Sequence, residues 1–142
     1  MKTNKPRRYA SGTEVPVSKS RMEVEQLLMK HGAHQVMIGS DSQLRSGFVA
    51  FTIERRQYRI QVPPRESGGR PAQQEQAQRE QWRALLLLLK AKLEVVASGF
   101  ATHETEFLAY VVLANGATVG DEIAPRLREM YESGNMPRLL PA

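Results

Sequence analysis

Between Gln78 and Gly99 apolar residues occupy most of the surface a helix would present. At 100° per residue, Trp82, Ala84, Leu85 to Leu89, Ala91, Leu93, Val95 and Val96 leave only a narrow polar strip of Arg79, Arg83, Lys90 and Glu94. An apolar arc this wide has to be covered on two sides. Gly99 is placed for the left-handed C′ position and Phe100 for the hydrophobic C″ contact of a Schellman motif. Upstream, Pro63 and Pro64 end one element, the stretch 65–70 with its paired glycines reads as a crossover, and Pro71 suits the first turn of a helix.

Weaker patterns flank this element. Ser20 followed by Glu23 is a capping-box pair, and Val24, Leu27, Leu28 and His31 form an apolar stripe that Gly32 ends, which predicts a short helix over 21–31. Residues 35–39, 48–54 and 57–62 are rich in β-branched and aromatic side chains and predict a three-stranded antiparallel meander, with a tight connection at Arg55 and Arg56. In the last run Tyr58, Ile60 and Val62 alternate with Gln57, Arg59 and Gln61, the pattern of one buried and one wet face. Beyond Gly99, Thr102 is a cap for a helix bearing Phe107, Leu108, Val111 and Val112, although the β-branched pair is also suited to a short strand. Thr118 caps a last helix with Ile123, Leu127, Met130 and Tyr131 as its inner stripe, Pro125 within it and Gly134 as its stop.

A chain of 142 residues holds one domain with a core of its own. The fold class expected is α/β (α+β): a helix, the three-stranded meander, the long central helix and two C-terminal helices over residues 17–134. A flexible basic arm, 1–16, precedes the domain and a tail, 135–142, follows it. The two faces of the central helix, Leu85, Leu89 and Val96 against Ala84, Leu88 and Val95, are expected to be covered one by the sheet and the other by residues 103–131, or else by a second copy.

Charge adds a direction. The net charge of +5 divides into +7 over residues 1–70, with 13 Lys/Arg against 6 Asp/Glu, and −2 over residues 71–142, with 7 against 9. A basic half suggests an anionic partner, and Arg55, Arg56, Arg59 and Arg45, with Arg7 and Arg8 on the arm, are the candidate nucleic-acid-binding residues. The bland account is that arginines on loops and sheet edges keep a sheet from pairing with others. Aromatic side chains for base stacking are sparse in this stretch, with Tyr9 and Tyr58 the nearby candidates and Tyr58 assigned inward. The run of five leucines is bracketed by Arg83 and Lys90, so no stretch reaches membrane-spanning length, and the N-terminus lacks an apolar leader; a soluble protein without a membrane partner is expected.

Chemistry is thinly represented. The absence of cysteine removes disulfides, thiolate metal sites and cysteine nucleophiles. Gly32 separates His31 from His34, so the pair lacks helical metal-ligand geometry, and His103 stands beside Glu104 and Glu106 at a helix start. No phosphate-cradling glycine loop, Ser/His/Asp order or H-E-x-x-H spacing occurs, so neither a catalytic residue nor a metal or other cofactor is expected. Asp41 after a strand and Glu80 at the start of the central helix follow an order similar to RNase H-like nucleases. Asp121 or Glu122 is then the third carboxylate, while turn formation for Asp41 and a first-turn dipole role for Glu80 are the structural alternatives. Lys92 falls among Trp82, Leu85, Leu89 and Val96, and Glu104, Glu106 or Asp121 is its expected partner.

Thr13 and Val15, Ser20 to Glu23, Gly32 and Ala33, Arg79, Trp82 to Leu85, Lys90 to Glu94 and Glu106 to Leu108 together resemble a family of short, uncharacterised bacteriophage and prophage proteins. The resemblance spans most of the chain and its motifs are structural. It implies a host-cell cytoplasmic setting and a non-enzymatic accessory role, in handling nucleic acid or in contacting a host protein. The leading expectation is nucleic-acid contact. The alternative is a protein-binding or oligomerising module that uses the central helix, with a metal-dependent nuclease as the minor alternative.

Overall fold

Pro71 starts a helix of 27 residues that ends at Ala97, so the long central element opens at the proline rather than near Gln78. The computed structural model, which describes residues 8–66 and 68–139, places this helix, α2 (Pro71–Ala97), after α1 (Val17–Lys30), β1 (His34–Asp41), β2 (Ser46–Ile53) and β3 (Arg56–Val62). A short α3 (His103–Glu106), a 3-10 turn at Leu108–Tyr110 and α4 (Val119–Ser133) follow. The architecture is the expected mixed one, with an antiparallel sheet in the order β1-β2-β3.

The strands alternate as their sequence requires. Val49, Phe51 and Ile53 of β2 and Tyr58, Ile60 and Val62 of β3 are buried on one face, and α1 and α2 join them in the core through Val24, Leu28, Leu86, Leu89 and Leu93. The second side of α2 is closed mainly by α1, and the C-terminal segment reaches α2 only through α3 near Lys92, which corrects the expected layering. The two helices are tied by Glu23, which accepts from Arg83 at 2.8 Å, so one member of the polar strip on α2 faces another helix. On the far side of α2, Ala84, Leu87 and Ala91 remain exposed.

The start of α1 also differs from expectation. Pro16 is the N-cap, without a side-chain cap bond, and Ser20 lies inside the helix, fully buried and with its hydroxyl unpartnered among the described residues. A proline fixes the backbone at the entry angle a helix needs, so nucleation one turn earlier overrides the Ser20–Glu23 pair.

Residues 8–16 are not a free arm. Gly12 donates its N–H to Glu80 at 2.9 Å, and Gln76 donates to the Thr13 carbonyl at 2.9 Å, which holds this stretch against α2. At the other end of α2, Gly99 takes the left-handed conformation (φ 81°) as expected, but Phe100 is 88% exposed and does not fold back on the helix.

The expected third helix is divided. Thr102 caps α3 through a box with Thr105, Phe107 inserts against Phe51 and Tyr58 at ring separations of 5.9 and 5.7 Å, and Val111 and Val112 then leave the helical path. Val111 bridges to Tyr58 and the Val112 N–H donates to the Gln57 carbonyl at 2.9 Å, so the β-branched pair covers the start of the outer edge of β3. Thr118, boxed with Asp121, caps α4, and Gly134 ends it at φ 73°. The intended inner stripe of α4 is open: the helix has no buried residue, Pro125 lies within it, and Tyr131 is 83% exposed.

The opposite edge, β1, is irregular. A bulge lies between His34 and Met37, with Gln35 at φ 53°, and the Arg21 side chain reaches over to donate to Ser40 Oγ at 3.2 Å and the Ile38 carbonyl at 3.4 Å. The guanidinium itself sits 5.5 Å from the centre of the buried Trp82 ring.

Candidate nucleic-acid interface

α1 and α2 occupy one face of the sheet, while Gly116 and Asp121 of the C-terminal segment reach Arg59 on the other. The other face carries Met37, Gly39, Phe48, Ala50, Thr52, Gln57, Arg59 and Gln61, by strand register and alternation. Met37 is 61% exposed, and Gln57 and Gln61 are exposed as well. Between its ends this face carries one charged side chain, Arg59. Asp41, at one corner, is held in its own turn by accepting from the Gln43 and Leu44 N–H groups at 2.9 and 3.0 Å.

The candidate arginines do not form one cluster. Arg55, Arg56 and Arg59 stand at the β2–β3 end, and Arg45 stands at the β1–β2 turn, eight strand residues away along β2, which is about 25 Å of extended chain. Arg7 lies outside the described residues. Arg8 belongs with Arg45's end through Arg65, whose guanidinium is pushed down from its ordinary value first by burial and then by the positive charge of Arg8. Arg45 and Arg65 line one depression of about 440 Å³ together with Gln43, Leu44, Gly68 and the carboxylate of Glu66. Arg65 was not among the residues singled out, because its role depends on Glu80, fifteen positions later, which accepts its hydrogen bond from within the protein.

At the other end Arg55 and Arg56 line a polar depression of about 410 Å³ with Gln35, Thr52 and Gln57. The turn beneath it is a two-residue loop, Glu54–Arg55, both residues at positive φ (50° and 68°), so Arg56 is the first residue of β3 rather than part of the turn. Arg56 pairs with Glu104 at 2.6 Å, and Arg59 donates to the Gly116 carbonyl at 2.8 Å with Asp121 at 4.0 Å. These two cations are shared with the C-terminal segment. Arg59 Nε is in addition a buried donor without an acceptor among the described residues.

The carboxylates proposed for metal chemistry have other partners. Asp41 serves its turn, and Glu80, 5% exposed, accepts from Arg65 and Gly12 three helical turns into α2 rather than in its first turn. Among the described residues no three His, Asp or Glu side chains gather as a metal-binding group. His103 lies 3.8 Å from Glu54, and His31 caps the C-terminus of α1. No helix among the described residues is long and apolar enough to cross a membrane. In comparison with known proteins, no family model matches the chain, and neither a curated protein nor a solved structure matches it.

Proposed function

We propose that this is a non-enzymatic accessory protein of the bacteriophage type that contacts nucleic acid over the outer face of its sheet. The observation that supports the reading is the placing of arginines at both ends of the sheet, Arg45 with Arg65 at one and Arg55 with Arg56 at the other, with Arg59 on the outer face between them. Because the protein's own chain covers the start of the β3 edge, the contact proposed is with the face and not with that edge. Phosphate contacts at both ends would position a strand or a groove, and the amide side chains between them have donors and acceptors to offer. The phage context rests on the sequence resemblance.

Arg45 and Arg55 are exposed and have no ion pair among the described residues, so they are the pair to change. In the Arg45→Asn, Arg55→Asn double variant, both left-handed positions receive a residue suited to them. Mobility shifts on DNA and RNA at two salt concentrations, with and without Mg²⁺, should show weaker binding and a salt slope smaller by roughly 1.4 to 1.8, two phosphate contacts' worth. Unchanged affinity and slope in the double variant sink the reading. Mg²⁺-dependent cleavage of the probe would favour the nuclease alternative instead.

The protein-binding or oligomerising alternative has an observation of its own in α4, where Leu127 is 39% and Tyr131 83% exposed on a helix that packs mainly beside the 3-10 turn. A concentration-dependent mass in sedimentation, abolished by Leu127→Asp with Tyr131→Ser, is its test.

A further inference from the structure

Gly39 and Phe48 are cross-strand partners on the open face. A Cβ added to Gly39 would lie 2.2 Å from Phe48 Cε1, 2.6 Å from Cζ and 3.0 Å from Cδ1, so the ring lies across the glycine, where any side chain would have lifted it. Phe48 is half-buried and does not belong to the core cluster. One side of the ring rests over Gly39, and part of the residue is open to solvent.

The neighbours of the ring are polar. Gln61 is directly opposite Phe48 on β3 and exposed, its side chain without a hydrogen bond among the described residues. Arg59, opposite Ala50, is diagonal to the ring and is held in place by the Gly116 carbonyl. An aromatic ring lying on a sheet, an amide one strand away and a fixed guanidinium on the diagonal match an unpaired nucleobase: a π-face to stack on, a donor and acceptor pair for its edge, and a cation for its phosphate. A base inside a duplex has both faces covered by its neighbours and cannot offer one.

We infer that Phe48 is a stacking platform for one nucleobase, with Gln61 at the base edge and Arg59 at the phosphate, so that the ligand of the open face is single-stranded nucleic acid. The inference rests on the nucleic-acid reading and narrows it. A ring placed over a glycine also stabilises a sheet by itself. That role is satisfied by any apolar side chain of similar volume, whereas stacking needs the π-system.

The test uses the full chain, a fluorescein-labelled oligodeoxythymidylate, its RNA counterpart and a duplex of equal length, read by anisotropy. Phe48→Leu should bind the single strands about tenfold more weakly, while Phe48→Tyr should bind them as the native chain does. Phe48→Trp should bind and show indole fluorescence quenched by the oligonucleotide, a readout that the buried Trp82 does not supply and that stands if Phe48→Leu fails to fold. Native-like binding by a folded Phe48→Leu, an unquenched Phe48→Trp, or a duplex bound more tightly than the strands overturns the inference. The wider reading survives any of these results if Arg45→Asn with Arg55→Asn still loses affinity. If no oligonucleotide binds the native chain, both fail.

Discussion

Lys92 directs its ammonium at Glu106, donating to the carboxylate at 3.3 Å and to the backbone carbonyl of the same residue at 3.1 Å. The rings of Phe107 and Tyr110 flank it at 5.8 and 5.9 Å, so the cation joins α2 to the C-terminal segment by charge, hydrogen bond and quadrupole together. It is the half-buried ion pair expected from its place on the apolar face, with Glu106 the partner among the candidates. Lys92→Met should change stability by less than about 1 kcal/mol, because packing against the rings replaces a modest pair. Lys92→Ala should cost about 1–2 kcal/mol by leaving a void and an unpaired carboxylate. Denaturant midpoints check both, and equal stability of the two variants would remove the pair from the account.

Glu80 is the more deeply placed charge. Its removal strands both the Arg65 guanidinium and the Gly12 N–H, so Glu80→Ala should destabilise the protein by about 3 kcal/mol and release residues 8–16 from α2. Hydrogen exchange at Gly12 in the native and variant proteins reads the release. Protection unchanged in the variant would mean that other contacts hold the segment.

The Glu54–Arg55 turn carries two residues in a conformation that favours asparagine and glycine. Glu54→Asn with Arg55→Gly should therefore raise stability by about 1 kcal/mol, measured as a thermal midpoint, while weakening nucleic-acid binding through the loss of Arg55. A gain in stability without a loss of binding would separate this turn from the interface.

Burial holds the Tyr58 hydroxyl above its ordinary 10.0, against an opposing effect of Arg56 and with additions from Glu104 and Glu54. The folded state thus keeps this proton more tightly than the unfolded chain does. The stability linked to it is complete below pH about 10 and is lost as pH rises toward the higher folded value. Melting curves for the native chain and Tyr58→Phe should diverge only above pH about 10, the native chain falling faster; parallel curves would show no linkage.

Local signals were sufficient for much of this fold. Pro71, Gly99 and Gly134 mark helix ends through their own backbone preferences, Thr102 and Thr118 cap with the side chain three residues on, and the alternation in β3 sets its faces. What depended on distant partners was not legible. Val111 and Val112 carry equal helical and strand readings until the open edge of β3 decides between them. Arg83 reads as a solvent residue until Glu23 arrives from α1. The ring of Phe48 reads as one more strand aromatic, because only pairing with Gly39 tells how it lies, and the separation of Arg45 from Arg55, Arg56 and Arg59 follows from the length of β2.

The two margins of the sheet are guarded by different means. Val111 and Val112 close one with the protein's own chain, and Arg21, resting on Trp82, closes the other with a single cation beside a bulge. Each margin is thereby interrupted, which breaks up the straight row of free groups from which sheets spread between molecules. The hold of Arg21 depends on a tryptophan sixty-one positions later, which becomes a fixed support only when α2 has docked. The guard on β1 is therefore a property of the packed molecule, present only with α2 in place.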